Sequence, residues 1–247
     1  MVTLTPALLK ASLAKLNYHW HDPEPNIIGI RRSTPVPDKF NDLMVCCWRQ
    51  PAMPKGLSVL EQQKFLKQWL YVGKDGKLIT ADGIPGGNTN HALQHLDETV
   101  GKERLKSWIV TTVPGIFHLQ APQNPKGCAV LVPDQYKDVY QLGLHKGRKD
   151  HPALVQTGGH VKAFRDSDRD KLAEETSVID IGNFGINIHR SNPNGASARV
   201  YDWSAGCQVF QRLSDHTELL GICEGFRHTC SNKFSYTLLR ERELAVA

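Results

Sequence analysis

Residues 185–189 read Gly-Ile-Asn-Ile-His, and fourteen residues after His189 the segment 204–207 reads Ser-Ala-Gly-Cys. The first segment predicts a short strand that ends at His189, and the second predicts a tight turn before Cys207. A thiol becomes a nucleophile when a neighbouring imidazole accepts its proton. Gly206 permits close backbone approach, so the N–H groups of Gly206 and Cys207 can face a developing oxyanion. The pair therefore predicts a cysteine–histidine site, the alternative being a buried cysteine and a core histidine that never meet.

Around this pair, the chain reads as many short strands separated by turns such as Pro114-Gly115 and Gly158-Gly159. That pattern favours a mainly β fold, a β-sandwich or β-barrel. Helical spacing predicts a helix near the N-terminus and another over 212–226. The predicted strands occupy 27–32, 43–48, 107–112, 115–120, 127–132, 138–144, 152–157, 161–165, 184–190, 206–210 and 233–239.

Residues 55–106 break the strand rhythm. Two amphipathic stretches with helical spacing flank a turn-rich segment, and Asn88 is predicted to cap the second helix. Two short amphipathic helices must cover each other's apolar faces, so we expect a small all-α inserted domain. The remaining residues, 1–54 and 107–247, would then form one discontinuous β domain.

The turn in this segment, Asp82-Gly83-Ile84-Pro85-Gly86-Gly87-Asn88-Thr89, follows a helix that carries Gln62 and Gln63. It resembles the turn of the common helical peptidoglycan-binding domain, and a generic helical hairpin is the alternative. The resemblance implies wall binding through Asp82, Gly83, Asn88 and Thr89.

The His189 to Cys207 spacing resembles the signature of the L,D-transpeptidase family of cysteine enzymes, in which histidine precedes Ser/Thr-His-Gly-Cys. The segment 112–117, Thr-Val-Pro-Gly-Ile-Phe, resembles the family's turn into a core strand. The resemblance implies an L,D-transpeptidase-like fold in which the Arg190 carbonyl orients His189. It also implies a substrate groove, for which the candidate residues are Trp203, Ser204, Arg199 and His145.

Three positions depart from the family pattern. Arg190 replaces the glycine after histidine, Ala205 replaces the histidine of the turn, and Val209 replaces a polar residue after the cysteine. Arg190 or Arg199 can replace the missing carboxylate-reading residue, since a guanidinium suits a carboxylate. Solvated loop arginines are the equal alternative.

Composition limits the partners. The net charge is +5, which suits an anionic partner such as the cell wall. No nucleic-acid-binding motif and no membrane-spanning run appear, so we expect neither nucleic-acid binding nor membrane insertion. No signal peptide is evident, so we expect cytoplasmic synthesis and later release to the wall through a holin-type or secretion-system route. The six cysteines form no Cys-x-x-Cys pair, and we expect a monomer with no cofactor and no metal.

These features predict a peptidoglycan-cleaving cysteine peptidase, for example a phage endolysin, that acts through a thioester. One alternative is an L,D-transpeptidase that forms cross-links. Another is a zinc-dependent peptidase using His19 and His21 with His145, Asp150 and His151, because His-x-His is a metal-ligand spacing. A third is a wall binder without catalytic activity.

Overall fold

The computed structural model describes residues 3–33, 36 and 38–245. Its helices are α1 (Pro6–Lys15), α2 (Val59–Gln68), α3 (Gly87–Thr99), α4 (Ile116–Gln120) and α5 (Leu213–Thr229), with 3-10 turns at His145–Gly147 and Glu241–Glu243. Its strands are β1 (Asn26–Arg31), β2 (Asp42–Arg49), β3 (Glu103–Thr111), β4 (Cys128–Leu131), β5 (Gln135–Leu144), β6 (Pro152–Gln156), β7 (Val161–Asp166), β8 (Ile179–Gly182), β9 (Ile188–Arg190), β10 (Gln208–Phe210) and β11 (Phe234–Arg240).

Eight of these strands close into a barrel in the order β1-β11-β5-β6-β9-β10-β3-β2. A second sheet has the order β4-β7-β8. The expected mainly β class is therefore confirmed, in its barrel form. The pair β9 and β10 is parallel, which requires the chain to cross over between them. That crossover contains the segment before Cys207.

The barrel interior and α5 share one apolar core. Tyr140 and Tyr236 are fully buried and pack edge to face, with ring centroids 5.8 Å apart. Trp69 from the helical segment meets Phe226 of α5 in the same way, at 5.2 Å. The apolar residues of the helical segment thus pack into the same core as the barrel.

The helical segment differs from the expected insert in the N-cap residue of its second helix and in its C-terminal boundary. Gly86 is the N-cap of α3, and Asn88 lies inside the helix with its Oδ1 accepting the N–H of Lys74 at 3.0 Å. Strand β3 begins at Glu103, so the last residues of the predicted 55–106 range belong to the barrel. The Gln68 amide also donates to the carbonyl of Gly221 on α5 at 3.2 Å.

Two predicted strands were wrong and one strand was missed. The strand expected over 115–120 is the helix α4, which starts after its N-cap Gly115, whose carbonyl accepts the N–H groups of His118 and Leu119 at 3.1 Å. The strand expected over 184–190 is reduced to β9, and residues 184–187 form a loop. The edge strand β8 was missed, since four residues give too short a pattern. In the described part of the chain, no helix has the length and apolar character needed to cross a membrane.

Candidate active site

The parallel pair β9–β10 brings the two predicted catalytic residues together. Val209 lies opposite His189 in the register, and Cys207 immediately precedes the first residue of β10. Both His189 and Cys207 line one cavity of about 650 Å³. Eighteen positions of sequence therefore separate two residues that face a common cleft.

The His189 imidazole is held in one tautomer. Its Nδ1 lies 2.7 Å from the carbonyl oxygen of Arg190, so Nδ1 carries the proton and donates it to that hydrogen bond. This leaves Nε2 as a lone-pair acceptor, and within the described residues this buried atom has no hydrogen-bond partner. Burial holds the pKa of His189 well below its usual value. The ring is therefore a neutral acceptor, as a general base must be.

The Cys207 sulfur sits among backbone groups. The N–H of Asn187 donates to Sγ at 3.4 Å, and the thiol donates to the carbonyl of Gly185 at 3.6 Å. Burial raises the pKa of Cys207 to about 11, whereas the Asn187 N–H and the charge of Lys146 act to lower it. The resting pair is therefore a thiol and a neutral imidazole.

The turn before Cys207 is fixed by Ser204. Its Oγ donates to the Cys207 carbonyl at 2.8 Å and accepts the Gly206 N–H at 3.2 Å. Gly206 has φ +130°, and a Cβ there would lie 2.7 Å from the carbonyl oxygen of Ala129, so the turn requires glycine. The Gly206 N–H expected at an oxyanion is thus bound to Ser204, and the fully buried Ser204 holds the turn rather than substrate.

A buried glutamine supports the same turn from beneath. The Gln208 side chain donates to the carbonyl of Gly206 at 3.2 Å and accepts the hydroxyl of Tyr236 at 2.9 Å. Both side chains are fully buried. The orientation of the Gly206–Cys207 peptide is therefore tied to the barrel core.

Gln156, at the end of β6, organises the facing loop. Its side-chain amide donates to the carbonyls of Gly159 and Gly182 and accepts the N–H groups of Phe184 and Ile186. All four hydrogen bonds of the amide are made, which explains how it can be buried. Sequence reasoning missed this residue, and the available signal was a glutamine closing the apolar run Ala-Leu-Val.

Two further histidines surround His189. The ring of His145 lies 4.0 Å from that of His189, and the ring of His151 lies 5.1 Å from it. The Gln156 N–H donates to Asn187 Oδ1 at 2.8 Å, which directs the Asn187 NH₂ to His145 Nδ1 at 3.1 Å. His145 therefore carries its proton on Nε2. Burial lowers the pKa of His145 to about 4.

The other predicted substrate residues are divided. Trp203 and His145 line the cleft. Arg199 pairs with Asp38 at 2.5 Å and is not a lining residue of the cleft. The Arg190 guanidinium is buried and donates to the carbonyls of Ser191 and Asp150. The guanidinium groups of both arginines are thus bound to other groups of the chain.

The glycine turn of the helical segment is built around Gln63. Its amide donates to Asp82 Oδ1, the Ile84 carbonyl and Thr89 Oγ1, and it accepts the Gly83 N–H at 2.7 Å. Side-chain atoms of Asp82 and Thr89 are thus used to hold the turn. The same residues border a cavity of about 570 Å³.

The structure does not assemble the zinc ligand set. The His19 N–H donates a hydrogen bond to the side-chain oxygen of Gln135 at the start of β5, whereas His145 follows the end of that strand. A ten-residue strand separates them by roughly 30 Å. The described residues place three acidic side chains within metal-ligand reach of one another, and these are exposed: Asp168, Asp170 and Glu174.

Comparisons of the chain with models of protein families, with curated proteins and with solved structures found no match.

Proposed function

We propose that this protein is a cysteine peptidase with an L,D-transpeptidase-like fold that cleaves the peptides of bacterial peptidoglycan. The observation that carries the proposal is the state of His189. Its Nδ1–H is committed to the Arg190 carbonyl, so Nε2 is an unprotonated base in the cleft that contains the Cys207 thiol.

In the proposed reaction, the Cys207 sulfur attacks the carbonyl carbon of an amide while its proton moves to His189 Nε2. The C–N bond then breaks, the leaving amine takes the proton from His189, and a thioester remains on Cys207. Water attacks the thioester and gives a proton to His189, which returns it to the sulfur as the carboxylic acid product leaves. Because burial keeps the resting thiol and imidazole neutral, proton transfer accompanies attack.

Backbone donors stabilise the charge that develops. The Asn187 N–H already points at the sulfur and favours its anionic form. The Cys207 N–H makes no hydrogen bond within the described residues, so it is the donor available to an oxyanion. The Gly206 N–H joins it only if the bond to Ser204 Oγ opens.

Water is the proposed acceptor. The family's two polar positions near the cysteine are Ala205, which offers only a methyl group to the cleft, and Val209, which is fully buried. Neither side chain can bind an incoming amine, which favours hydrolysis over cross-linking. The Gln63-centred turn and its cavity support wall binding by the helical segment.

The test uses purified sacculi and a labelled D-amino acid, with mass spectrometry of the muropeptides. The wild type should release soluble stem-peptide fragments without incorporating label. Cys207→Ala should release none, whereas Cys230→Ala, which removes an exposed free cysteine, should be as active as the wild type. Dominant label incorporation would instead indicate a transpeptidase, and loss of activity to a chelator but not to iodoacetamide would indicate a metalloenzyme.

A further inference from the structure

The lining of the cleft around Cys207 contains two formal cations, Lys146 and Arg165, and one formal anion, Asp202. Arg165 is already compensated, because its Nε donates to Asp180 at 3.0 Å and its guanidinium lies 4.6 Å from the ring centroid of Phe184. Lys146 has no ion pair within the described residues. Its neighbour Arg148 is paired with Asp150 at 3.0 Å. Lys146 is therefore the cation of the cleft that is not paired with a carboxylate in the described residues.

The backbone holds Lys146 in a fixed, unusual position. It has φ 50° and ψ 30°, the left-handed region that few residues other than glycine adopt. The turn is closed on both sides, since the His145 N–H donates to the His151 carbonyl and the Arg148 N–H donates to the His145 carbonyl. A strained residue held in this way at the rim of a cleft is a recurrent feature of ligand sites.

We propose that Lys146 binds a carboxylate of the peptide substrate next to the bond that Cys207 attacks. This inference rests on the proposed function, because it names the chemistry of the substrate at that site. An ammonium group suits a carboxylate as a point charge with three donors. His145 and His189, which share the cleft, are neutral donors or acceptors, so they do not supply that charge. In this proposal Lys146 binds the carboxylate, the role for which the family resemblance offered Arg190 or Arg199.

Two carboxylates of a stem peptide can fill this role: the C-terminal carboxylate of the leaving D-amino acid, or the free side-chain carboxylate of an internal residue. The two sources are separated by amidating one or the other in a synthetic stem tetrapeptide. The carboxylate whose amidation removes the contribution of Lys146 to peptide binding is the one that Lys146 binds.

The test measures binding of these peptides to the Cys207→Ala protein, in which no turnover occurs. The free-acid peptide should bind at least about tenfold more tightly than one of the two amides, since a charge-assisted hydrogen bond is lost. Adding Lys146→Met should remove that difference. Adding Lys149→Met, which changes an exposed lysine of the same loop, should preserve it. Equal binding of all the peptides, or no binding, would overturn the proposal.

A second measurement needs no peptidoglycan. The positive charge of Lys146 should raise the rate at which anionic iodoacetate alkylates Cys207, relative to the rate with neutral iodoacetamide. In Lys146→Met, made in the Cys230→Ala background, the rate ratio of iodoacetate to iodoacetamide should fall severalfold, and in Lys149→Met it should not change. An unchanged ratio in Lys146→Met would refute the placement of the charge. If sacculi remain intact while both measurements succeed, the proposed peptidase activity fails and the carboxylate site stands.

Discussion

Three buried histidines should make this protein unusually sensitive to mild acid. Burial lowers the pKa of His145 to about 4, that of His216 to about 3, and that of His189 well below its usual value. Because each folded-state pKa lies below the unfolded value, the unfolded chain binds more protons, and stability falls as the pH drops below about 6.5. Each histidine then costs up to about 1.4 kcal/mol per pH unit until its folded pKa is reached.

At pH 5 the cost is about 2 kcal/mol for His145 and about 2 kcal/mol for His216, hence about 4 kcal/mol for the two, against a typical total stability of about 5–15 kcal/mol. His189 adds to that cost. Urea unfolding at several pH values between 7.5 and 5, followed by tryptophan fluorescence, measures the slope. His216→Leu should reduce that slope by about 1 kcal/mol per pH unit.

The matched control for His216→Leu is Ile222→Val on the same helix. Ile222 is fully buried, so its loss of a methyl group should cost about 0.5–1.5 kcal/mol at every pH and leave the slope as it is. If His216→Leu keeps the wild-type slope, His216 is not a buried neutral imidazole and the reasoning is refuted.

Three further outcomes are expected. Trp69→Ala should lower the free energy of unfolding by about 3–5 kcal/mol, because Trp69 belongs to the core shared with the barrel. Calorimetry should then show one cooperative unfolding transition at a lower temperature, whereas two separate transitions would indicate an independent helical domain. Gly115→Ala should lower the melting temperature and slow both the alkylation of Cys207 and substrate cleavage, because an added Cβ would overlap the backbone carbonyl of Tyr201. The control Gly87→Ala should be nearly neutral, because the space around Gly87 is open. Asn187→Asp should raise the pKa of His145 in an NMR titration, since a carboxylate favours the charged ring; an unchanged titration would show that Asn187 does not set its protonation.

The candidate site was partly predictable because its key residues lie close in the sequence. The turn from Ser204 to Cys207 and the short strand that contains His189 are local features, so residue type and spacing suffice to indicate them. The same holds for the mainly β class, since turn residues punctuate the strands at short intervals. The catalytic function itself stays a prediction.

The hydrogen bonds that support the site were not predictable, because they join residues distant in sequence. Gln156, Asn187 and His145 form a hydrogen-bonded chain across two strands and a loop, and nothing local marks that connection. Lys146 differs from other surface lysines only because the barrel places its turn beside Cys207.

Tertiary packing also determined the structure of two segments whose local sequence pattern predicted something else. The segment 115–120 has an apolar pattern compatible with a strand, yet it is helical, and its N-cap Gly115 is anchored to the turn by a hydrogen bond to the Ser204 carbonyl. Residues 55–102 carry the amphipathic pattern of a separate helical unit, yet Trp69 packs on Phe226 of α5 within the main core. The sequence by itself determined which segments have apolar faces and which residues have reactive groups. Only the closed barrel decided which faces meet, because burial and hydrogen bonding are satisfied between segments distant in the chain.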